Sequence, residues 1–165
     1  MPLLLLTLCP DTIAGHHGCL IEINGRISDL KASQATVEHL LSKCVRDINA
    51  HEHVLRDAGE ELGRILIGAK NPFRDFIQNR VSWNLGTEVS QLRTKVNSLR
   101  EQKRNLEEEL TEIADELVRL RNQRSVHVEL IGVLVCENPA CIAFLMQLSL
   151  EQQQPYDDDN NDDDH

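Results

Sequence analysis

Cys9, His16, His17 and Cys19 lie close together near the start of the sequence and bring thiol and imidazole groups, the donors a zinc ion accepts. Their spacing is not that of a zinc finger, and adjacent histidines seldom both reach one ion. They are read as unrelated residues, with metal binding as the alternative. Cys136 and Cys141 flank the turn-like ENPA segment, where a disulfide or redox pair is one reading and two small buried hydrophobes the preferred one. His51 and His53 stand two apart with Glu52 between them, which on a helix points them in different directions and disfavours a shared ion. Phosphate-cradling glycine loops, zinc-protease helices and nucleophile elbows do not occur. Acidic pairs such as Glu108 and Glu112 fall on a solvated helix face and make poor catalytic acids or bases. The expectation is a protein that is not an enzyme and takes no cofactor and no metal.

What the sequence does organise is a seam. From Val89, apolar side chains return at Leu92, Val96, Leu99, Leu106, Leu110, Ile113, Leu117 and Leu120, three and four residues apart, with Lys103 alone breaking the series. That spacing is a coiled-coil heptad, and it predicts a helix over 87–124 that buries a narrow stripe against another helix. Lys103 at an a position either fixes register and strand number or lets its stem reach solvent.

A second heptad, more interrupted, predicts a helix over 27–66. Its a and d positions include Ile27, Leu30, Gln34, Val37, Leu41, Cys44, Ile48, His51, Leu55, Ala58, Leu62 and Ile65. Leu40, Val45 and Val54 widen this stripe and point to more than one neighbouring helix. His51 at a d position is expected to be a satisfied or partly exposed core histidine, with pH-sensitive packing as the alternative. Ser28 is the expected cap, and Gly68 with Asn71 and Pro72 closes the end. Gly59 and Gly63 weaken the last turns by about 1 kcal/mol each relative to alanine.

Residues 67–86 form the connection, in which Pro72 is expected to start a short apolar helix carrying Phe73, Phe76, Ile77 and Val81. Each long helix should reach about 60 Å at 1.5 Å per residue. Matched lengths around a short connection predict an antiparallel hairpin that returns residue 124 to the neighbourhood of residue 27. Asp57, Glu60 and Glu61 would then face the basic start of the second helix. Segment 1–26 holds a strand-like piece, Cys19 to Ile23, ending in the turn signal Asn24-Gly25. Segment 125–150 opens with the alternating, β-branched run from Val126 to Val135, so a small β ribbon at the open end is expected. A short apolar helix, ACIAFLMQLSL, should follow the cap Asn138-Pro139. Residues 151–165 cannot bury anything and read as a disordered acidic tail.

Composition sets the remaining limits. Five aromatic residues in 165 are too few for an ordinary globular interior or ligand pocket. The net charge of -10 is concentrated in the tail, because residues 151–165 hold seven of the 27 acidic groups and none of the 17 basic ones. A nearly balanced body argues against nucleic acid as a partner. Five cysteines, an odd number without a dense pattern, fit a reducing compartment. The start MPLLLLTLCPD has a signal-like apolar run but no preceding cation and no cleavage site. The expected location is the cytoplasm, with the nucleus as the alternative and secretion and membrane contact disfavoured.

Two long helices joined at a tip resemble, in layout alone, prefoldin-like chaperone subunits, yet those place strands where PFRDFIQNR prefers helix, so no function is carried over. The fold expected is mainly α, an antiparallel hairpin of two heptad helices. The interaction seam is expected at Val89, Leu92, Val96, Leu99, Lys103, Leu106, Leu110, Ile113, Leu117 and Leu120, with Leu30, Val37, Leu41, Ile48, Leu55 and Leu62. The function expected is a coiled-coil scaffold, adaptor or oligomerisation subunit with protein partners, as a homo- or hetero-oligomer. Alternatives are a chaperone-like module holding basic clients through its tail and, more distantly, a small thiol- or metal-dependent enzyme.

Overall fold

Every residue that the structure describes lies in a helix except Asn138 and Pro139. The structure, a computed structural model, describes residues 2–67 and 72–151, with side chains for 12–65, 67 and 83–151. Helix α1 spans Pro2–Ile67, α2 spans Pro72–Glu137 and α3 spans Ala140–Glu151. The two long helices fit a helical hairpin. Pro72 starts a helix as expected, but it is not a short one in a separate connection, because it continues as α2; the side chains of Phe73, Phe76, Ile77 and Val81, residues Gly68 and Asn71 and the expected disordered tail fall outside what is described.

Punctuation in the sequence explains where α2 ends. Pro139 disfavours helical backbone at the residue before it, so α2 stops at Glu137. Asn138 then caps α3, its side-chain Oδ1 accepting from the Ala140 N–H at 3.2 Å, while Pro139 takes the first helical position, where no N–H is needed.

The chain divides into two compact units, Leu30–Asp115 and the pair of segments Met1–Asp29 and Glu116–His165. In the first unit, α1 contributes buried Val37, Cys44 and Ile48, and α2 contributes Val89, Val96, Leu99, Leu106 and Ile113. The Cys44 thiol donates to the Leu99 carbonyl at 3.2 Å, and Arg100 donates to Glu52 at 2.5 Å. In the second unit, Ile23 and Ile27 of α1 are buried, as are Leu117 and Leu120 of α2. A separate cluster forms around Ile13 and Cys141, with Leu134, Val135, Phe144 and Leu145 packed against it, which seats α3. In this second unit Arg26 meets Glu116, His16 meets His127 and Ile13 packs near Leu134, so partners ascend along α2 as they descend along α1, and the pairing there is antiparallel.

The expected ribbon is not present. Cys19 to Ile23 lie inside α1 and Val126 to Val135 inside α2, and the described residues contain no strand. The physical reason is continuity of the buried stripe. Backwards from Ile27 the three-and-four spacing continues through Ile23, Leu20, His16 and Ile13, all buried or half-buried. Forwards from Leu120 it continues, across exposed Arg124, through His127, Ile131 and Leu134, all half-buried. β-branched residues cost a helix only about 0.5 kcal/mol each, less than the burial gained at these positions. An isolated two-stranded ribbon would also be marginal in water. For the same reason α1 begins at Pro2 and not at Ser28, and Asn24-Gly25 is helical, with no glycine at positive φ among the described residues.

The pairing register departs less from the expected one. Residue 124 returns to the neighbourhood of residue 27, since Arg26 lines one groove with Gln123 and Val126, but the ion-pair partner of Arg26 is Glu116 at 2.9 Å, about two turns earlier on α2. That expectation took the ends of the two heptads as the ends of the helices, whereas both stripes run on. Among the described residues, the acidic end of the first heptad makes its ion pairs within α1 and not with the basic start of α2 as expected. Asp57 lies against His53 and Arg56, and Glu60 and Glu61 against Arg64, all on α1.

Candidate interaction surfaces

Heptad spacing turns one face of each long helix inward, and this places the sixteen seam residues. Val37, Ile48, Val89, Val96, Leu99, Leu106, Ile113, Leu117 and Leu120 are buried. Leu30, Leu41, Leu55, Leu62, Leu92, Lys103 and Leu110 are half-buried. Lys103 reaches outward to Glu107 at 3.3 Å, one turn along α2, so its stem lies on the seam and its ammonium in solvent. Gln34 donates to Glu38 at 3.2 Å, also within its own helix. His51 shares a 2.7 Å hydrogen bond with the Asp47 carbonyl, and His53 lies 3.0 Å from Asp57, so the two rings serve different partners.

Near the start of α1 the structure brings together, as helices and not as a ribbon, the two segments expected to meet at the open end. His16 meets His127, with Nδ1 atoms 2.9 Å apart and ring centroids separated by 5.1 Å. Beside them Cys19, Glu22, Ile23, Arg26, Gln123, Val126 and His127 line an open groove of about 300 Å³. Glu116 accepts from Arg119 at 2.7 Å and 2.5 Å and from Arg26 at 2.9 Å. The Arg119 hydrogen bond holds the Glu116 carboxyl below the usual carboxylate range, against some burial that pushes it up, and the charges of Arg119 and Arg26 add to the lowering. The same bond raises the basicity of Arg119.

The cysteines separate into different environments. Cys19 and Cys136 are exposed free thiols, and Cys44 is a buried one. Cys141 is buried and disulfide-bonded, but not to Cys136. The pair across ENPA, the alternative reading, therefore does not form, and the preferred reading of two small buried hydrophobes fails as well, because Cys136 is exposed and Cys141 is disulfide-bonded. The side chain of Cys9 lies outside the described residues, and among the described residues no three His, Cys, Asp or Glu side chains assemble into a metal-binding group.

The outward faces are where sequence reasoning said least. Leu40 and Val54, which widen the α1 stripe, are exposed. On α2, Val126, Leu130 and Val133 face solvent at helical spacing. On α3, Ile142 is 47% exposed, and Met146 and Leu150 are each 65% exposed. With Leu145 and Ser149 these three line a groove of about 520 Å³. A stripe at i, i+4 and i+8 is one face of a helix, so α3 shows apolar side chains both to the core and to water. Spacing within ACIAFLMQLSL was the available signal. The direction of each face depended on Cys141 and Phe144 docking inward, which local sequence does not state.

Among the described residues no helix is long and apolar enough to cross a membrane. No protein-family model, curated protein or solved structure matches the chain.

Proposed function

We propose that this protein is a non-enzymatic helical scaffold or adaptor subunit, which assembles with copies of itself or with other helical proteins by coiled-coil packing. One observation carries this reading. With the heptad stripes already turned inward, the chain still leaves Val126, Leu130, Val133, Ile142, Met146 and Leu150 in solvent within a single compact unit. Large apolar side chains at helical spacing are costly to hydrate, at about 25 cal/mol per Å², and a packed partner helix removes that cost. Leu40 and Val54 offer a further strip on the other unit. Rigid helices with charged outer positions suit holding partners at fixed spacing better than enclosing a small molecule.

Sedimentation equilibrium of the full chain at micromolar concentration tests the proposal. The expected result is a mass of at least twice the 18.7 kDa chain, or a stoichiometric complex with a co-purified protein. A monodisperse monomer that copurifies with nothing would overturn it.

A further inference from the structure

The outward face of α3 carries one more assignment. From Ser125 to His165 the chain has no lysine or arginine, while it has nine carboxylates: Glu129, Glu137, Glu151 and the six aspartates between 157 and 164. The apolar stripe of Ile142, Met146 and Leu150 lies inside this wholly anionic stretch, and α3 itself carries no charge before Glu151. An occupant must therefore supply an apolar strip for the groove and positive charge to complement the carboxylates that precede and follow α3 in sequence. We infer that this face docks a basic amphipathic helix of a partner protein, an inference that rests on the scaffold reading above.

Charge decides between the candidate occupants. A second copy laid on the same face would bring two anionic segments together, at a cost in repulsion. An anionic bilayer is repelled for the same reason, since surface helices that bind one carry lysine and arginine on their polar face. A helix with leucines at i, i+4 and i+8 flanked by lysines meets both requirements, in the helix-in-groove manner. Met146 at the centre suits this role because its unbranched thioether adapts to the shape of an incoming side chain.

The test uses the full chain and two fluorescent helical peptides of one pattern, one built from leucine and lysine and the other from leucine and glutamate. The Leu/Lys peptide is expected to bind saturably, at least about tenfold tighter than the Leu/Glu peptide, with affinity falling as salt rises. Met146→Glu and Leu150→Glu should each weaken binding by about tenfold or more, and Met146→Leu should retain it, circular dichroism confirming unchanged helix content in every variant. Equal binding of the two peptides, no saturable binding, or indifference to Met146→Glu would each overturn the proposal. So would loss of self-association in Met146→Glu, which assigns the face to a second copy, or Met146-dependent binding to phosphatidylcholine vesicles, which assigns it to lipid. A chain that is monomeric yet binds the Leu/Lys peptide would sink self-assembly and leave this docking face standing.

Discussion

His16 and His127 stand with their Nδ1 atoms 2.9 Å apart, although 111 residues separate them in sequence. A hydrogen bond between two ring nitrogens needs one of them protonated and the other bare. A double-mutant cycle of His16→Phe and His127→Phe is expected to show a coupling of about 1 kcal/mol between the two positions, and additive effects on the denaturant midpoint would show that the contact is incidental.

Gly25 discriminates between the helical and the turn reading of Asn24-Gly25. A Cβ added there meets nothing within 4 Å, and the backbone is helical. Gly25→Ala should therefore raise stability by about 1 kcal/mol, the ordinary helix preference of alanine. In a turn with positive φ the same change would lower it, and a denaturant midpoint decides.

Glu116 predicts an acid limb in the stability curve. Its folded carboxyl is held below the ordinary range by Arg119, so its contribution is fully present above the unfolded value, near 4.3 for a glutamate. The contribution is lost as pH falls through the lowered folded value. Melting temperature measured across the acid range should consequently fall less steeply in Glu116→Gln than in the wild type. Raising ionic strength should reduce the difference, because the pairs are solvent-facing.

Two seam positions should respond with opposite sign. Leu120 has no exposed surface, and truncation to alanine should cost about 2 to 5 kcal/mol through lost burial and the cavity left behind. Lys103 is half-buried with its ammonium in solvent, so Lys103→Leu should stabilise the chain by about 1 kcal/mol. If that substitution also changes the mass in solution, Lys103 selects the number of helices in the assembly.

Much of this architecture can be read from spacing alone. The alternation of three and four from Val89 to Leu120 locates the inward face of α2 without any structure. Gln34 and His51 interrupt the pattern on α1, yet both sit half-buried where the count places them. Legibility fails where local preference and long-range packing disagree. Val126, Val128 and Val133 favour strand by propensity, but they are the residues left outside, while His127, Ile131 and Leu134 keep the count. Following the count through polar residues past Leu120 and back from Ile27 would have found both helices at full length and brought His16 opposite His127. The seating of α3 was not legible, because it depends on Ile13, a residue from the far end of the chain.

Both long helices run 66 residues, Pro2–Ile67 and Pro72–Glu137, and one repeat of three and four holds from Ile13 to Ile65 and from Val89 to Leu134. Each residue in such a helix turns the chain by about 100°, so losing a single one would swing every later side chain to a different side. Length changes in the coding sequence are then tolerated within either rod only in blocks close to seven. The molecule can accept many substitutions and almost no slippage, a constraint that globular proteins with spare surface loops escape.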